Sequence, residues 1–159
     1  MDLPRADFSP DRRYRYTLRR VTGLGFSTCL FICLNPSTAD ETVDDPTVRR
    51  CIGFSRRWAF GNLVVCNLFA YRATSPKDMK TQDDPIGPAN DDAMVREASF
   101  ANRVVCAWGN DGAYRARWLH VLALLHDRQL ELHHLGLTGT GQPKHPLYLK
   151  SNTEPIRWG

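Results

Sequence analysis

Polar residues break the apolar runs of this chain at a few points, and those points are where chemistry can be done. Asn35 directly follows the apolar run 28–34 and precedes Pro36, which restrains the turn. Its side-chain amide both donates and accepts, so it can orient a water or a ligand edge; asparagine here can also simply close an Asx turn. Pro36 and Ser37 accompany it as ligand-facing positions. Asn67 repeats the arrangement after the apolar run 63–66, and such an amide can read a base edge with two hydrogen bonds. Phe69 and Tyr71 follow closely, and either ring can stack on a base or fill a core.

Four acids crowd the next loop: Asp40, Glu41, Asp44 and Asp45. A carboxylate beside a sugar activates water or stabilises an oxocarbenium-like transition state. Asp45 precedes Pro46 and reads as a helix cap, which leaves Asp40 and Asp44 as the catalytic candidates. His145 sits between prolines in Gly-Gln-Pro-Lys-His-Pro and can donate to a leaving-group oxygen. Lys144 beside it and Arg72 in the segment after Asn67 are phosphate-binding candidates. The sequence holds no Walker loop, Gly-x-Gly-x-x-Gly, esterase elbow or Cys-x-x-Cys pair, so kinase, dehydrogenase, serine-hydrolase and dithiol chemistry lack local support.

These residues need a scaffold. Residues 28–34, 63–66, 103–107 and 130–135 are apolar runs of strand length, and 14–20 fits an edge strand. Helical patterns occupy 46–58, 90–100 and 112–126, with a short one near 147–152. The alternation predicts a three-layer αβα domain over residues 14–159, with a mostly parallel sheet of about four to five strands. Residues 1–13 read as an arm, and 72–88, with three prolines, as a long excursion. In such sheets ligands bind beyond the carboxyl ends of the strands. Asn35, Asn67, Asn110 and the 136–146 loop all fall there.

The 159-residue length and 42% hydrophobic content suit one domain with a real core. Neither a secretory signal nor a spanning apolar stretch is visible, so the expected location is the cytoplasm. Five cysteines, an odd number in mostly apolar runs, predict buried free thiols; no metal site and no cofactor are expected. A net charge of +4, from 21 Lys+Arg against 17 Asp+Glu, is compatible with a polyanion partner and also with an ordinary solvated surface. Arginines cluster at 12–20 and at 49–57. No obligate protein partner is evident.

With these residues in place, the chain resembles a bacterial and phage family of unknown function, number 1643. The resemblance rests on Leu34–Asp40, Asp45–Cys51, Asn67–Thr74, Trp108-Gly109 and Gly141–Leu149. More distantly, the motif order is similar to that of uracil-DNA glycosylases. Leu34-Asn35-Pro36 resembles their water-activating motif, Val65-Cys66-Asn67 their base-reading asparagine, and His145-Pro146 the start of their His-Pro-Ser loop. That resemblance implies a uracil-DNA-glycosylase-like fold and hydrolysis of a nucleobase N-glycosidic bond in a modified or damaged nucleotide or DNA. Asn35 would position the water, Asn67 would read the base, and His145 would stabilise the departing base. Leu147 replaces the loop serine, and Ser37 stands where some of these enzymes carry a tyrosine that screens bases. The alternative is a non-catalytic nucleotide- or nucleic-acid-binding module that uses the same cleft.

Overall fold

Strand β3 (Thr28–Cys33) runs through the middle of the molecule because every residue after Thr28 is buried. Such a run has no solvent face and needs cover on both sides. In the computed structural model, which describes residues 5–159, it pairs in parallel with β4 (Asn62–Asn67) on one side and β5 (Arg103–Cys106) on the other. Strand β6 (Leu132–His134) extends the parallel set beyond β5. The remaining strands are antiparallel: β2 (Arg15–Val21) against β4, β1 (Ala6–Phe8) against β2, and β7 (Ile156–Trp158) against β6. Among the described residues the sheet therefore has seven strands in the order β1-β2-β4-β3-β5-β6-β7.

The expected sheet of four to five mostly parallel strands is corrected here. Three of the six pairings are antiparallel, and strands β1 and β7 add to both edges. Each of these two strands is three residues long, too short to show a two-residue alternation. Residues 6–8, expected in an N-terminal arm, are a paired strand; residues 1–4 lie outside the described part.

Helix α1 (Pro46–Arg57) begins where Asp45 accepts from the Val48 N–H at 2.9 Å and Pro46 takes a position that needs no donor. Its buried stripe, Val48, Cys51 and Phe54, packs on one sheet face against Cys29, Phe31, Cys33, Val65 and Val105. Phe54 and Trp58 stack on Phe31. Burying one such aromatic side chain contributes about 1.5–3 kcal/mol. The excursion after β4 contains a short helix, α2 (Pro76–Lys80), capped by Ser75. Helices α3 (Asn90–Phe100) and α4 (Arg117–His126) cover the opposite face, where Met94, Ala98, Val121 and Leu125 meet Leu30, Ile32, Val64 and Cys106. The expected last helix near 147–152 is a single 3-10 turn, Pro146–Tyr148. Among the described residues no helix is long and apolar enough to cross a membrane.

This connectivity creates the crevice. The chain leaves β3 toward α1 on one face and leaves β5 toward α4 on the other. Adjacent parallel strands whose continuations diverge open a gap at their carboxyl ends, the usual ligand position in open α/β sheets.

Candidate functional site

A cavity of about 430 Å³ opens at that gap, within the size range of small-molecule sites. Its walls come from the segments leaving the parallel strands: Asn35 and Ser37 after β3, Ala73 and Thr74 after β4, Trp108 to Asp111 after β5, and His145 with Tyr148 after β6. The first turn of α1, Asp45 to Thr47, closes one side.

Asn35 is held by its nitrogen. Nδ2 donates to the Ala73 carbonyl at 2.9 Å and to the Pro36 carbonyl at 3.1 Å. Pro36 is buried, and its carbonyl also accepts from the Ala73 N–H at 3.0 Å. With both donors committed to backbone, the remaining capacity of the amide is its acceptor oxygen, Oδ1. Among the described residues that oxygen has no hydrogen-bond partner.

His145 is held by its other end. Nδ1 accepts from the Leu147 N–H at 3.3 Å, which assigns the ring proton to Nε2 in the neutral form. Burial pushes its pKa below the usual 6.5, and the Asp45 carboxylate opposes that shift in part. Arg50 of α1 supports the loop by donating from Nε to the Pro146 carbonyl at 3.3 Å and from Nη2 to the Leu149 carbonyl. Gly109, at φ 74°, faces this loop; a Cβ there would stand 3.6 Å from that of His145.

Asp45 lines the cavity, but both its oxygens are engaged, Oδ1 by Val48 N–H and Oδ2 by Ala39 N–H at 3.3 Å. The Ala39 carbonyl accepts from the fully buried Arg15 at 3.1 Å, and burial pushes the Arg15 pKa down to about 10. A buried cation thus lies behind a buried anion, bridged by one residue.

The other expected site residues are placed elsewhere. Asp40 accepts from Thr42 and Val43 N–H groups, which hold its carboxyl below the ordinary carboxylate range. Asp44 pairs with Arg20 at 2.7 Å. Neither lines the cavity. Asn67 is buried within β4, paired in register with Cys33, and does not reach the cavity. Phe69 is core, packed near Tyr114. Tyr71 bridges to Tyr14, and Arg72 lies over the Phe8 ring and donates to the Arg12 carbonyl. Lys144 is exposed, with its stem against Gly136. The cavity thus joins Asn35, Ser37 and His145 from the expected set, beside Pro36 as their brace, and adds Asp45, Thr47, Thr74, Asn110 and Tyr148. Only the strand-end position of Asn110 signalled any of these additions as ligand-facing.

All five cysteines are free and buried. Burial pushes the thiols of Cys51, Cys66 and Cys106 well up, and that of Cys29 to about 12, which removes them as nucleophiles. Among the described residues no three His, Cys, Asp or Glu side chains group as a metal site.

No curated protein and no solved structure shows a match to this chain. The sequence profile of a family described as a protein of unknown function (DUF1643) matches residues 15–147, most of the chain, and the chain belongs to that family.

Proposed function

We propose that the cavity binds a nucleobase and hydrolyses its N-glycosidic bond. The observation that carries this reading is the complementary anchoring of two side chains in one cavity. Asn35 presents an acceptor and His145 presents an Nε2–H donor. An acceptor of this kind orients a water toward the anomeric carbon. The carbon–nitrogen bond breaks with its electron pair passing to the base, where the His145 donor meets the charge that develops on a base oxygen. The proton lost by the water ends on the released base, so the sum is one water consumed, one sugar hydroxyl and one free base formed. A neutral imidazole is the form that donates without competing charge, and burial of His145 favours it.

The ordered resemblance of Leu34-Asn35-Pro36 and His145-Pro146 to uracil-DNA glycosylase motifs supports the same reading. The charge pattern adds a constraint. Among the described residues lining the cavity none is lysine or arginine, so phosphates remain outside while the base enters. Exposed Arg49, Lys77 and Lys144 lie on the segments around it.

A second reading, a binding module without turnover, has its own observation. Asp45 has both oxygens engaged and Asp111 is paired with Lys80 at 2.6 Å, so neither carboxylate of the cavity is free to act as a base. The two readings separate on one assay. The protein is incubated with modified and damaged DNA, single- and double-stranded, and with free nucleotides and nucleosides, and free base is measured by mass spectrometry. Hydrolysis predicts base release that Asn35→Ala and His145→Ala both abolish. Binding of the same panel with no release supports the module.

A further inference from the structure

The base-reading amide expected at Asn67 is buried away from the cavity, yet another asparagine lines it. Asn110 follows Trp108-Gly109 at the end of β5 and is solvent-exposed on the cavity wall. Its Oδ1 accepts from the Thr138 hydroxyl at 2.6 Å and from the Thr140 hydroxyl at 2.8 Å. The shorter of the two lengths bears on which end of the amide faces the threonines. A separation of 2.6 Å is ordinary for O–H···O and short for N–H···O. The oxygen therefore faces Thr138 and Thr140, and both N–H bonds of Nδ2 remain for another partner.

Thr138 is itself held, and its hydroxyl lies 3.2 Å from that of Thr140. Both threonines stand on the turn between Leu137 and Pro143, which form an antiparallel bridge. Gln142 N–H donates to Thr138 Oγ1 at 3.2 Å, and Gln142 Oε1 accepts from the Trp108 indole at 2.8 Å. Gly109 N–H donates to the Pro143 carbonyl at 2.8 Å. The residue before Asn110 and the turn that pins its oxygen are thus tied together, which limits rotation of the amide. His145 leaves the same turn two residues after Pro143. One wall of the cavity accordingly carries two donors, Asn110 Nδ2 and His145 Nε2.

We propose that Asn110, with its oxygen pinned by Thr138 and Thr140, is a specificity-determining residue that selects ligands with a carbonyl acceptor at that edge over ligands with an amino group there. The occupant is then an oxo-base, uracil-like or hypoxanthine-like, rather than a cytosine- or adenine-like one. An amino group facing Nδ2 would set donor against donor and leave both unpaired in a partly desolvated site. The inference rests on the reading of the cavity as a nucleobase site, and does not require turnover.

Equilibrium binding is measured for uridine against cytidine and inosine against adenosine, as nucleosides and within a single-stranded oligonucleotide. Base release from the same ligands is recorded separately. The wild type binds the oxo member of a pair tighter, on the order of tenfold, the ratio a mispaired polar edge imposes. Asn110→Asp keeps the two threonine bonds, loses the donors and reverses the preference. Thr138→Val combined with Thr140→Val frees the amide to turn and brings the ratio toward one. Equal affinity within each wild-type pair, no binding of either, or a ratio untouched by Asn110→Asp overturns the inference. Discrimination without base release leaves it standing and removes the hydrolytic reading alone; release with an unchanged ratio in Asn110→Asp does the opposite.

Discussion

Asn35 and Ala73 are joined by a hydrogen bond of 2.9 Å, from the side-chain nitrogen of the first to the carbonyl of the second. The bond ties the end of β3 to the segment that follows β4, and with the second bond from the same nitrogen to Pro36 it leaves the oxygen as the free end of that side-chain amide. The amide that lines the cavity is therefore also a structural tie.

Asn35→Ala removes the donor for two carbonyls, those of Pro36 and Ala73. A destabilisation of about 1–3 kcal/mol in urea denaturation is expected. Asn35→Asp places acceptor against acceptor when ionised, whereas the protonated carboxyl can still donate one bond. That variant accordingly recovers stability relative to the wild type as pH falls below the carboxylate range. A deficit independent of pH would place the side chain elsewhere.

His145 gives a pH dependence with a definite sign. Burial lowers its pKa in the folded protein below 6.5, the ordinary value that the unfolded chain keeps. Below 6.5 the unfolded chain then binds more protons, so this contribution to stability is present above 6.5 and lost as pH falls. Burial shifts His133 and His134 in the same direction, and the effects add. The urea midpoint is expected to drop between pH 7.5 and 5.5, and to drop less in His145→Gln. Asp45→Asn preserves a good helix cap but removes the charge that raises the His145 pKa. In that variant the imidazole, followed by NMR, titrates lower still.

Gly112 has no room for a side chain. A Cβ there would lie 2.1 Å from Trp108 Cδ1. Gly112→Ala must displace the indole that donates to Gln142, at a cost of about 1–3 kcal/mol. Loss of the Trp108 near-ultraviolet signal should accompany it. Unchanged stability and spectrum would show that the tryptophan is not confined as described.

The parts of this fold visible in the sequence are those with a local pattern. The apolar runs of β3, β4 and β5 and the Asp45-Pro46 start of α1 announce themselves. Strands β1 and β7 depend on partners distant in sequence, Leu18 opposite Ala6 and Leu132 opposite Trp158, and three residues carry no readable period. Asn35 was legible because a proline and a strand end flank it. Asn67 stands one residue past the apolar run 63–66, and the ladder takes it in as its last pair, opposite Cys33. Asp45 read as a cap and is one, but its place on the cavity wall follows from the path of the 36–44 loop. The Asn110–Thr138–Thr140 group depends on a contact across 28 residues and more, which no spacing rule reaches.

In the proposed hydrolysis, water enters at the anomeric carbon under the hold of Asn35 and the base leaves toward His145. Running the reaction in water enriched in oxygen-18 and weighing both products follows that water. One labelled oxygen on the sugar, an unlabelled free base, and neither product in Asn35→Ala or His145→Ala are the expected results. No free base from any oxo-base substrate that the protein binds, or a released base without label on the sugar, would contradict the proposed hydrolysis.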